Sequence, residues 1–212
     1  MRGLDQGGLV FFPEYSIVWG KPGKTAGTSL LEVFSKRFGE SVTFKSDPIA
    51  YRGLLNTPLE HLIRIVTVRN PFTRFASLWR YSERVHWIRP SMPFGQFASE
   101  FVGYFGQYSI FRAHARPVVN YLDELDLPKT LRVESLQDDV DDLMFGLGLG
   151  PIEVPRRNVD DRPALDLADL YRNNPDAAQF VRKFYCSDFG DDCSTPMDRH
   201  RGFTYLATTE SL

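Results

Sequence analysis

The chain has 212 residues, enough for one domain with a substantial core. Apolar residues at 42% beside charged residues at 25% describe a soluble globular protein and exclude a disordered or membrane-embedded one. The net charge of -2 excludes the broad basic footprint of a duplex-binding protein, so any anion site must be assembled from local groups.

The first twelve residues, MRGLDQGGLVFF, carry a four-residue apolar run, too short for a signal segment or a bilayer span. With no membrane segment, a cytoplasmic location is expected. YSIVWG (residues 15–20) reads as a short buried strand ending in glycine. A loop follows, then TSLLEVFSKRF, where Leu30, Leu31, Phe34 and Phe38 recur at helical spacing and Thr28 or Ser29 is the expected N-cap. SVTF (41–44) is a second strand, and a short helix is expected at 58–62. IRIVTV (63–68) has the continuous apolar character of a central strand covered on both faces. It runs into RNPFTRFASLWRYSERV, where Asn70 can cap a helix and Pro71 suits its first position.

Further along, Phe94, Phe97, Ala98, Phe101 and Val102 make an amphipathic stripe. VVNYL (118–122) continues a helix, and TLRVES (130–135) reads as a strand. A helix with Leu136, Val140, Leu143, Met144 and Leu147 on one face comes next, its DDVDD run (138–142) expected as a solvated face. Residues 151–163 read as a polar loop and 177–185 as a last helix. The aromatic supply (17 Phe, 9 Tyr, 3 Trp) is expected mainly in the core. Cys186 and Cys193 form no CxxC pair and have no His cluster beside them, which argues against zinc; free thiols are expected, with one disulfide as the oxidising alternative. Strands alternating with helices imply an α/β fold, P-loop-like and three-layered, with a central parallel sheet flanked by helices and the ligand at the C-terminal strand ends.

The loop VWGKPGKTAGTSL contains Gly-Lys-Thr, the end of a Walker A motif. The first glycine of that motif would have to be residue 18, which is Val18, and counting from Gly20 leaves the loop two residues short. The next strand ends in Arg69 where an NTPase needs a carboxylate for magnesium. Helix-terminus physics survives both departures: backbone N–H groups at a helix start, the helix dipole and Lys24 favour an anion held without metal. A second anchor is RNPFTRFAS. Arg69 stands at a strand end, and Asn70, Arg74 and Ser77 share one helix face, so a guanidinium and a hydroxyl can grip a phosphate from two sides.

GKTAGTSL (23–30) resembles the 5′-phosphosulfate loop of sulfotransferases that use 3′-phosphoadenosine 5′-phosphosulfate (PAPS), nearest in form to the carbohydrate branch. VTVRNPFTRFASLWRY is similar to that family's 3′-phosphate element. LRVESLQDDVDDLMFGLGL, RRNV (156–159) and YCSDF (185–189) resemble its later half. The departure is Gly23 in place of the family's proline, which loosens the loop. The resemblance implies a single sulfotransferase-like domain over 1–212. Lys24, Thr25, Ala26, Gly27, Thr28 and Ser29 would surround the phosphosulfate, Arg69 and Ser77 would hold the 3′-phosphate, and Asn158 would lie on the cofactor side. The implied reaction is in-line, metal-independent transfer of a sulfuryl group to an acceptor hydroxyl, on a carbohydrate or a small molecule, with Lys24 stabilising the leaving group.

An acceptor hydroxyl needs a base. Asp47, with Lys45 beside it, and His86 rank level for this role; His114, flanked by Arg112 and Arg116, comes next, and His61 last. The alternatives are a P-loop kinase or NTPase with a degenerate loop, and a catalytically inactive relative that binds nucleotide or glycan.

Overall fold

The computed structural model describes residues 8–44, 58–126, 128–157 and 162–190. They divide into two compact units: Met1–Arg69 with Asn120–Val159, and Asn70–Val119 with Asp160–Leu212. The sequence reads as one domain; the described residues gather around two cores.

The first unit is built on a five-stranded sheet. Its strands are β1 (Gly8–Phe12), β2 (Ile17–Lys21), β3 (Val42–Phe44), β4 (Ile63–Val68) and β5 (Lys129–Arg132), in the order β3-β1-β2-β4-β5. β2, β4 and β5 pair in parallel, with Trp19 opposite Ile65 and Thr67 opposite Leu131. β1 is antiparallel to both β2 and β3, so four strands share one direction and β1 runs against them. The expected α/β sheet is present; the reversed strand was not expected. A one-turn 3-10 segment, Pro13–Tyr15, followed by Ser16 at φ 51 reverses the chain at once, and so short a connection can join only antiparallel neighbours.

Helices cover both faces of this sheet. On one face α1 (Gly27–Phe38) and α6 (Leu136–Gly146) bury Leu30, Val33, Phe34, Val140, Leu143 and Met144 against Val10, Phe12, Trp19, Ile65 and Leu131. Edge-on rings fill the gap, with Phe34 centred 5.2 Å from Trp19. On the other face α5 (Val119–Glu124) passes over β2, but a Cβ at Gly20 would run first into the Val66 side chain of the neighbouring β4, and only then come within 3.1 Å of Leu125 Cδ1 and 3.4 Å of Tyr121 Cβ. Gly20 is required above all by Val66.

In the second unit the described elements are helices: α2 (Pro71–Arg84), α3 (Phe94–Gln107), α4 (Ser109–Ala115), α7 (Leu167–Arg172) and α8 (Pro175–Phe184). Asn70 caps α2 as its sequence position suggests, Oδ1 accepting from Phe72 N at 2.9 Å and Thr73 N at 3.4 Å. The core is aromatic, with Phe75, Phe97, Phe101, Phe111 and Tyr185 all buried. Val102, read as part of the same stripe, is 64% exposed, because the buried arc of α3 closes at Phe101. Cys186 is disulfide-bonded, which corrects the free-thiol reading; Cys193 lies outside the described residues. Among the described residues no helix is long and apolar enough to cross a membrane.

Candidate functional site

The site begins where β2 ends. Lys21 closes the strand, residues 22–26 form the loop, and α1 starts at Gly27. The N-cap is Ala26, not Thr28 or Ser29, and it sits in the left-handed region at φ 58 with no side-chain cap hydrogen bond. Lys24 is also left-handed, at φ 66. Left-handed alanine and lysine are strained, and such strain concentrates where backbone is held for a purpose. Here it curls the loop tightly just ahead of α1.

Thr25 pins this curl from below. Its hydroxyl donates to Pro22 O at 2.8 Å and lies 3.0 Å from Thr67 Oγ1. The one proton of Thr25 goes to the carbonyl, so Thr67 is the donor in the second contact. Thr67 Oγ1 also accepts from Trp19 Nε1 at 3.3 Å. The Thr25 side chain is therefore buried and committed to loop and sheet.

Arg69, at the end of β4, donates through Nη1 to Lys24 O at 3.1 Å. The strand-end arginine and the loop lysine, 45 positions apart, are thus joined. Both are half-buried. Ser29 is buried in the first turn of α1, where its Oγ accepts from Arg157 N at 3.2 Å. The Arg157 side chain clamps the same helix, with Nε and Nη2 at 2.8 and 3.0 Å from the two carboxylate oxygens of Glu32. Hydrogen bonds from Arg157, then Lys36, hold the Glu32 carboxyl down to about 2. Sequence reasoning placed the RRNV segment near the cofactor by resemblance but missed Arg157 itself; Glu32, at helical spacing from Ser29, is the only local hint of its dock. Thr28 is exposed at the helix start.

The other predicted residues scatter. Asp47, Lys45 and Asn158 lie outside the described residues. Ser77 is half-buried on α2, in the second unit, while Arg69 ends the first. His86 is exposed in a left-handed turn at φ 59, its N–H bonded to Glu83 O. His114 is buried in the second unit, its ring stacked 5.3 Å from Tyr81 and edge-on to Trp87 at 5.0 Å. His61 is exposed in a 3-10 turn, Leu59–His61.

Two expectations are corrected. Arg74, read with Asn70 and Ser77 as one phosphate-facing side of the helix, is 1% exposed. It donates to Arg116 O at 2.5 Å and pairs with Asp188 at 3.5 Å. Asp139, read as solvated, is buried on α6 and accepts from Arg132 N, Nε and Nη2. Burial pushes its carboxyl up, but the Arg132 hydrogen bonds and charge outweigh this and hold it below the usual carboxylate range.

No protein-family model matches the chain, and no curated protein matches it significantly. A solved structure of a sulfotransferase from Alicyclobacillus acidocaldarius is similar at 20% identity and a TM-score of 0.35, over 60% of this chain and 56% of that one. The chain thus spans just over half of that protein, and a likeness this low carries no functional weight. The reading of function rests on the chain's own residues.

Proposed function

We propose that this protein is a sulfotransferase that moves the sulfuryl group of PAPS to an acceptor hydroxyl of a carbohydrate or small molecule. The observation that supports this best is the 3.1 Å hydrogen bond from Arg69 to the Lys24 carbonyl. It draws together the two elements that the sequence offers for the two anionic ends of one nucleotide. An uncapped helix start, a left-handed loop and flanking cations suit a phosphosulfate. PAPS, when bound, supplies the activated sulfuryl group. Lys24 then neutralises the charge that develops on the bridging oxygen. Arg69 holds the 3′-phosphate. Ser29 already accepts a hydrogen bond from Arg157 N, so its own proton can be directed to an anion. Asp47 or His86 takes the acceptor proton.

The kinase alternative is weakened by Thr25. The hydroxyl that would meet magnesium in a Walker loop is buried here, its proton on Pro22 O and its oxygen accepting from Thr67, and β4 leads into a guanidinium, not a carboxylate. The direct test is incubation with labelled PAPS and panels of glycans, phenols and alcohols. Label transfer that falls by about a hundredfold in Lys24→Ala supports the proposal, this being the size of losing one transition-state charge partner. Nucleotide binding with no transfer to any acceptor class would identify an inactive relative.

A further inference from the structure

We infer that the disulfide at Cys186 is a redox-sensitive fastener of the buried Arg74–Asp188 pair in the second unit. Nothing in this depends on the proposed activity. Cys186 is disulfide-bonded, and because the chain has two cysteines and neither is free, its partner is Cys193. Cys186 opens a single 3-10 turn, Cys186–Phe189, directly after α8. Two residues on, Asp188 is 3% exposed; its carboxylate accepts from Val118 N and Val119 N at 3.0 and 2.9 Å and faces Arg74 at 3.5 Å. The residues on either side of the turn also reach inward. Tyr185 is buried and donates through its hydroxyl to Ala115 O at 2.9 Å, and the Phe189 ring is centred 5.4 Å from that of Phe72. Cys186, half-buried, thus stands in the chain between two buried polar anchors.

A turn this short has little cooperativity to resist opening. Within it Asp188 N donates to Tyr185 O at 2.9 Å and Gly190 N to Ser187 O at 3.1 Å. Opening frees Asp188 to water and leaves the Arg74 charge behind in the core, which is costly. The bridge limits this by closing residues 186–193 into a covalent ring, so that the open ensemble is small. A dithiol removes that limit. It supplies two electrons and two protons, the S–S bond breaks, Cys186 and Cys193 become thiols, and the dithiol becomes a disulfide. The turn then opens more often, and Asp188 leaves the amides of Val118 and Val119. The motif reading weighed the two cysteines only against zinc; the link from Cys186 to Arg74 runs through Asp188 and exists only in the folded chain.

The test is hydrogen exchange of the folded full chain, read at single amides by NMR, before and after reduction with dithiothreitol. The amides of Val118 and Val119 should exchange about tenfold or more faster once the bridge is reduced, while those of β4 in the first unit change less than twofold. The melting temperature should fall by about 5 °C or more. A Cys186→Ser/Cys193→Ser double variant should show the fast rates in either buffer. The reduced wild type is read directly, so the test stands whether or not that variant folds. Exchange at Val118 and Val119 within twofold of the oxidised protein overturns the inference. So does acceleration of β4 equal to theirs, which would mean that reduction unfolds the whole chain, and so does mass analysis of the untreated protein that finds both thiols free.

Discussion

Arg74 and Asp188 form an ion pair from which water is almost absent, each side chain being 2% exposed. Asp188 also accepts from Val118 N at 3.0 Å and Val119 N at 2.9 Å, at the start of α5. Arg74 in turn donates to the carbonyls of His114 and Arg116. An arginine that looks like a phosphate ligand in RNPFTRFAS is a structural post for the second unit. Removing one partner strands the other's charge, so Asp188→Asn and Arg74→Met should each lose about 3–5 kcal/mol of stability. Urea unfolding measures it; a loss under about 1 kcal/mol would contradict the role.

Arg69 contrasts with Arg74. It is half-buried, not sealed in the core, and it donates to the Lys24 carbonyl at the start of the loop. Arg69→Ala should weaken binding of 3′-phosphoadenosine 5′-phosphate by about 2 kcal/mol or more, roughly thirtyfold in Kd. The unliganded protein should lose no more than about 1.5 kcal/mol, the worth of one hydrogen bond. Isothermal titration beside chemical unfolding separates the two effects.

Thr25 should behave in the opposite sense. Its hydroxyl bridges Pro22 O and Thr67 inside the protein, so Thr25→Val should cost about 1–3 kcal/mol of stability through groups left unsatisfied. Thr25→Ser, which keeps the hydroxyl, should recover most of that. Were Thr25 a magnesium ligand, the valine variant would lose metal-dependent nucleotide binding while keeping its stability.

The clamp of Arg157 on Glu32 carries a pH signature. The folded carboxyl is held down to about 2 against an ordinary value of 4.5, so its stabilising contribution is fully present above about pH 4.5 and is lost as pH falls toward 2. The thermal midpoint of the wild type should therefore exceed that of Glu32→Gln at neutral pH, and the gap should close across that acid window. A gap that stays constant down to pH 2.5 would show that the pairing does not govern it.

Much of this architecture could be read from residue order. IRIVTV is strand β4 to the residue, and Leu30, Phe34 and Phe38 face the core from α1 as their spacing requires. The cap at Asn70 follows from side-chain chemistry alone. These features are local. What escaped is non-local or conformational. β1 is defined by pairing with β2 and β3, and a run such as LVFF does not name its partners. Arg74 and Asp139 looked solvent-facing because their partners, Asp188 and Arg132, meet them only in the folded chain. The helix start at Ala26 defies side-chain rules because a left-handed backbone, not a hydroxyl, ends the loop. Of the site, Lys24 and Arg69 were legible as motif residues, whereas Arg157 became visible through a docked carboxylate.

In the proposed function the loop from Pro22 to Ser29, with Arg69, holds a 3′,5′-bisphosphate nucleotide without metal. Calorimetric titration with 3′-phosphoadenosine 5′-phosphate in the presence of EDTA, beside ATP with magnesium, tests it most directly. Saturable one-to-one binding of the bisphosphate is expected, unchanged by chelator and lost in Lys24→Ala. Tight magnesium-dependent binding of ATP with no affinity for the bisphosphate would contradict it.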